Sequence, residues 1–77
     1  MSDFDRIRWR SRRGLLELDL ILDRFLAQQW HTLPAEQQMA YQEILLLPDN
    51  DLLDMVNRRA DTDVEHWLPV IERLRNA

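Results

Sequence analysis

The sequence predicts an all-α protein, a compact five-helix bundle with short loops, and three observations carry that prediction. Apolar residues recur at spacings of three and four, the helical period, and no stretch alternates as a strand does. Gly occurs once and Pro three times, so breaks are few and sharply placed. The 77 residues are 45% hydrophobic, enough for one small core and, by length, for one domain spanning 1–77.

The first helix is expected from Asp3 to about Arg13, with Ser2 as N-cap and two acids in its first turn. At roughly 100° per residue, Phe4, Ile7 and Ser11 share one face, and Trp9, Arg6, Arg10 and Arg13 the opposite one. Gly14 marks a stop or bend. A second helix, about Leu15 to Trp30, carries a core stripe of Leu15, Leu18, Leu22, Phe25 and Leu26. Leu16 and Leu20 widen its apolar surface, which makes it the central helix. Glu17, Arg24 and Gln28 form its polar face, and Asp19 lies beside the core stripe, where a carboxylate needs a partner.

Residues 31–34 form a turn. The third helix, about Ala35 to Leu47, carries Met39, Tyr41 and Ile44, and Pro48 closes it. Asp49 can cap a fourth helix, about Asn50 to Arg59, with Leu52, Leu53 and Val56 inward. Thr62 and Glu65 have capping-box spacing and start a fifth helix reaching Arg75, kinked by Pro69. Trp30 and Trp67 fall on apolar stripes and read as core.

Composition narrows the function. Cys is absent, which excludes disulfides and thiolate metal sites. His31 and His66 have no second ligand at helical metal-site spacing, so no metal is expected. A pocket for a drug-sized ligand occupies several hundred Å³, a large share of so small an interior, and no nucleophile–base pair is visible. The chain is therefore read as a binding protein and not an enzyme. No apolar run is long enough to span a membrane, and no membrane insertion is expected. The acids at Asp3 and Asp5 argue against a transit peptide. Cytoplasmic location in a bacterium is expected.

Charge is uneven. Residues 1–14 balance at +3 and residues 15–77 at −7, all ten basic residues being Arg. The basic end can steer the molecule to an acidic partner. Net charge of −4 weighs against nucleic acid.

Arg13-Gly14-Leu15-Leu16-Glu17 concentrates the candidates for partner binding. Gly14 is the one bare backbone position, open to close approach. Arg13 and Glu17 flank it, and Trp9, Arg10 and Arg12 are of types enriched at interface hot spots. A plainer reading makes this a helix–turn–helix corner with an ordinary Arg13–Glu17 surface ion pair worth at most about 1 kcal/mol.

The run Arg12-Arg13-Gly14-Leu15-Leu16-Glu17-Leu18-Asp19, preceded by Trp9, resembles the signature of the succinate dehydrogenase flavinylation factors, the SdhE family, also called CptB-like. Leu45-Leu46-Leu47-Pro48-Asp49-Asn50-Asp51-Leu52 resembles the family's second motif, at the same separation. The family usually has Trp three residues after that Asp-Leu pair, where this chain has Met55. The resemblance implies an assembly factor of five helices. Such a factor binds the flavoprotein subunit of succinate dehydrogenase or fumarate reductase and promotes covalent attachment of FAD to it. It implies no cofactor held tightly by this chain, since FAD goes to the partner. Arg13, Gly14 and Glu17 match the functional motif. Asp19 matches too, but its place beside the core favours an internal cap or ion pair. Asp49 and Asp51 read as helix-cap and first-turn acids, with an interface role as the minor reading. The older family name leaves one alternative, a regulatory antitoxin-like module acting on another partner. The free protein is expected to be a monomer.

Overall fold

Ser2 opens the first helix as its sequence demands. In the structure, a computed structural model that describes residues 2–77, Ser2 Oγ accepts the Asp5 N–H at 3.2 Å and the Asp5 carboxylate accepts the Ser2 N–H at 3.4 Å. This reciprocal capping box satisfies two free donors. Helix α1 spans Asp3–Arg10, three residues shorter than expected. At its end Ser11 turns inward: its N–H keeps the ladder bond to the Ile7 carbonyl at 3.0 Å, and its hydroxyl donates to the same oxygen at 2.7 Å.

Helix α2 spans Leu16–Gln29 and runs into a single 3-10 turn, Trp30–Thr32. Its stripe Leu18, Leu22, Phe25 and Leu26 is buried as expected, while Leu15 is left at the surface. Helix α3 spans Ala35–Ile44 and stops before Leu47, because residues 45–47 turn to bring Pro48 to the N-cap position of α4. Helix α4 spans Asp49–Val56. Asp49 is thus the first helical residue and not the cap, and it favours the helix through the dipole. The helix ends three residues early, with Arg58 in the left-handed region at φ 64°.

Thr62 does not close a capping box with Glu65. Its hydroxyl accepts the Val64 N–H at 3.1 Å, making a local turn. A 3-10 turn, Glu65–Trp67, follows, and helix α5 spans Leu68–Arg75. Pro69 therefore sits in the first turn of α5, where a missing N–H costs nothing, and causes no kink.

Helix α5 packs against α2, α3 and α4. Its Val70, Ile71 and Leu74 join Tyr41 and Ile44 of α3 and Leu52, Met55 and Val56 of α4 in one core. Tyr41 stacks on Phe25 with centroids 5.2 Å apart and meets the edge of Trp30 at 5.5 Å. Trp67 is only half-buried: its indole N–H donates to Glu43 at 3.0 Å, which keeps one edge wet. That bond, with a second from His66, holds the Glu43 carboxyl below its usual range. Arg75, 10% exposed, donates to the carbonyls of Met55 (2.8 Å) and Ala60 (3.1 Å) and pairs with Asp61 and Glu72, so α5 also fixes the loop after α4.

Helix α1 is held differently. It buries Ile7 alone, with Phe4 half-buried against the core, an apolar anchor of about 1.5–3 kcal/mol. The rest of its attachment is polar. The Tyr41 hydroxyl and Ser11 Oγ lie 2.6 Å apart, both buried. Because the Ser11 proton goes to Ile7, Tyr41 donates and Ser11 accepts. Burial pushes the Tyr41 phenol up to about 12, against a smaller opposing effect of the Arg13 charge. No helix among the described residues is long and apolar enough to cross a membrane.

Candidate functional site

The site begins where α1 ends. After Ser11 the chain needs donors satisfied without a helix, and Asp19 supplies the acceptor. Its carboxylate takes the Arg13 N–H at 2.7 Å and the Gly14 N–H at 3.2 Å. Two N–H bonds from consecutive residues pin the corner to the first turns of α2 and answer the question of Asp19's partner. Gly14 has φ 81°, which non-glycine residues rarely adopt, and a Cβ built on it meets nothing within 4 Å. Gly14 is thus required by backbone conformation and also exposes bare backbone to solvent.

Arg13 does not lie on the outer face of α1 with Trp9 and Arg10. It is off the helix and turned inward, with its side chain 15% exposed. Its guanidinium donates to the Leu45 carbonyl at the end of α3, and it lies 3.7 Å from Asp49 at the start of α4. The Arg13–Glu17 ion pair of the plainer reading is absent among the described residues. Arg13 Nε is buried and has no acceptor among the described residues.

Outward, the corner borders an open groove of about 580 Å³ between α1 and α2. Ser11, Asp19 and Leu26 lie at its base, with Asp5, Arg8, Trp9, Arg12, Leu16, Leu20 and Asp23 around it. Three large apolar side chains there face solvent: Trp9 at 69% exposure, Leu16 at 75% and Leu20 at 52%. Arg8 and Asp23 join the two helices across the groove at 3.4 Å. Arg10, Arg12 and Glu17 are exposed and make no ion pair among the described residues. Clustered exposed aromatic and aliphatic groups bordered by charged side chains have the anatomy of a protein-binding surface.

Sequence reading expected Trp9, Arg10, Arg12, Gly14 and Glu17 at a partner surface; Trp9 and Arg12 line this groove, and the other three are exposed outside its lining. It missed Leu16 and Leu20, taking them as a widening of the buried stripe. The usable signal was their spacing: they are four apart and rotate away from Leu18, Leu22, Phe25 and Leu26. It also missed Arg8 and Asp23. Asp51 is exposed in the first turn of α4, away from the groove, beside a smaller acidic cleft floored by Met55 and Trp67. No group of three or more carboxylate or imidazole residues suited to a metal occurs among the described residues.

A profile of the family described as "Flavinator of succinate dehydrogenase" matches residues 5–77. This chain belongs to that family. Among its relatives, the FAD assembly factor SdhE of Ralstonia nicotianae is 41% identical over 58 residues, covering 75% of this chain and 61% of the relative. The SdhE of Coxiella burnetii is 29% identical over 70 residues, covering 91% and 85%. That of Pseudomonas aeruginosa is 32% identical over 62 residues, covering 80% and 74%.

Within the flavinator family, the two signature stretches read from the sequence meet in space. Arg13 of the first touches Leu45 and Asp49 of the second. Met55 is buried in the core beside Leu52 and Val56. Its flexible thioether fills apolar space, and it presents little surface to a partner.

Proposed function

We propose that this chain is an assembly factor that binds the flavoprotein subunit of succinate dehydrogenase and promotes covalent attachment of FAD to it. The observation that carries the reading is the family match over residues 5–77. The exposed groove face with uncompensated charges supports it from the chain's own geometry. Trp9, Leu16 and Leu20 supply the apolar contact. Arg10, Arg12 and Glu17 supply charges free to meet the client, and Gly14 lets client backbone come close. The chain contributes no reacting group. It raises the rate by holding the client in the geometry in which flavin and acceptor meet, or by favouring a reactive client conformation. The bond-forming chemistry stays with FAD and the client. Fumarate reductase's flavoprotein subunit is a second client of the same chemistry. The free factor acts as a monomer in the bacterial cytoplasm.

The test mixes purified protein, the apo flavoprotein subunit of the same organism and FAD, then denatures the sample and reads flavin fluorescence on the client band. Labelling should be faster with wild type than without it, and slower again with Glu17→Ala at unchanged helicity. No acceleration by a folded wild-type protein would overturn the reading.

A further inference from the structure

The Arg-Gly-x-x-Glu run invites the view that both of its charges meet the client. Their geometry divides them. Glu17 is exposed and makes no ion pair among the described residues. The Arg13 guanidinium is folded under the corner, spanning from the Leu45 carbonyl that ends α3 to the Asp49 carboxylate that begins α4. Its backbone N–H is held from the other side by Asp19.

We infer that Arg13 is a positioning residue: with Asp49 and Asp19 it clamps the 11–15 corner to the α3–α4 junction and so presents Gly14 and the Trp9–Leu16 groove, without touching the client.

Three observations converge on this. The Arg13 side chain has little exposed area left for an intermolecular contact. Asp49 and Asp19 hold the same residue through different atoms, one through the guanidinium and one through the peptide N–H, so the corner is restrained in both position and orientation. Helix α1 buries a single side chain, so the approach to the groove wall depends on these polar links more than on packing. The clamp also gives the second signature stretch a role. Leu45 lends a carbonyl and Asp49 a carboxylate to the first stretch, although they lie 32 and 36 positions along the chain from Arg13.

This inference rests on the proposed client, and the experiment separates the two. Affinity for the apo flavoprotein subunit is measured for wild type, Arg13→Ala, Asp49→Ala, the double variant, Asp49→Glu and Glu17→Ala. Thermal melts verify folding, and NMR amide exchange at Gly14 is followed in the free protein. A positioning role predicts that Asp49→Ala alone weakens binding by about 3- to 30-fold. The double variant should be no weaker than Arg13→Ala, and Asp49→Glu should restore most of the affinity. Gly14 exchange should quicken in Asp49→Ala before any client is added. If Arg13→Ala melts too low to use, Arg13→Lys takes its place in the cycle. Wild-type affinity for Asp49→Ala, together with a large loss for Arg13→Ala, would overturn the clamp and return Arg13 to the interface. Absence of binding by folded wild type would instead refute the proposed client.

Discussion

Replacing Gly14 separates backbone conformation from surface access. At φ 81° a side chain costs about 1–2 kcal/mol in left-handed strain. A Cβ there meets nothing within 4 Å, so no steric overlap adds to it. Gly14→Ala also restricts the unfolded chain, which offsets part of the strain. The net is about 1 kcal/mol, a fall of roughly 4–8 °C in Tm for a domain of this size. Asn tolerates the left-handed region and should cost less. Because the space is open, Gly14→Arg should melt near Gly14→Ala. Binding should separate them: Ala retains most of the affinity for the client, whereas Arg covers bare backbone and abolishes it. Melting followed by circular dichroism and titration of the apo flavoprotein subunit read the two effects. An Arg variant melting more than about 10 °C below Ala would show that the corner is packed. An Ala variant that binds as poorly as Arg would show that conformation alone matters.

Three other expectations are open to measurement. Ser11→Ala strands the buried Tyr41 hydroxyl and should cost about 1–3 kcal/mol, while Tyr41→Phe should cost about 1 kcal/mol and the double variant no more than Ser11→Ala, all read from thermal melts. Tyr41 titrates at about 12 when folded and near 10 when unfolded, so its contribution is intact below pH 10 and is lost as pH rises through 12; in the only tyrosine of the chain, ultraviolet titration reads this directly, and Tyr41→Phe should remove that alkaline decline. Leu16→Gln should change stability by less than about 0.5 kcal/mol and weaken client binding several-fold; a large drop in Tm would show that Leu16 packs inward in solution.

Helix number, order and most of the core were legible because apolar spacing states them directly. Leu18, Leu22, Phe25 and Leu26 needed nothing but the helical period. Boundaries were less legible, for local reasons. The Arg13 and Gly14 N–H groups go to Asp19 and not to a continued α1, and Pro69 reads as a kink until the 3-10 turn before it places it in the first turn of α5. Within the candidate site, residue type and motif pointed to Trp9, Gly14 and Glu17, and all three are exposed. Arg13 was seen, but its direction was not. An arginine at the end of a presumed helix reads as outward, and only the meeting of two chain segments far apart in sequence turns it in. Leu16 and Leu20 failed in the opposite sense: hydrophobicity was taken for burial, when on this small protein it marks a face without an internal partner.

Arg75 joins the last helix to the loop that leaves α4, through the Met55 and Ala60 carbonyls. Two regions that look separable are therefore coupled in their opening. The N–H groups of Asn57, Arg58, Arg59 and Ala60 bond to carbonyls of α4, so the segment is held by its own helix as well as by α5. Amides from Asn57 to Ala60 should then exchange with the last turn of α4, and faster in Arg75→Ala, even though the loop is exposed and irregular. The loop is thus tied to α4 through its backbone and to α5 through one guanidinium.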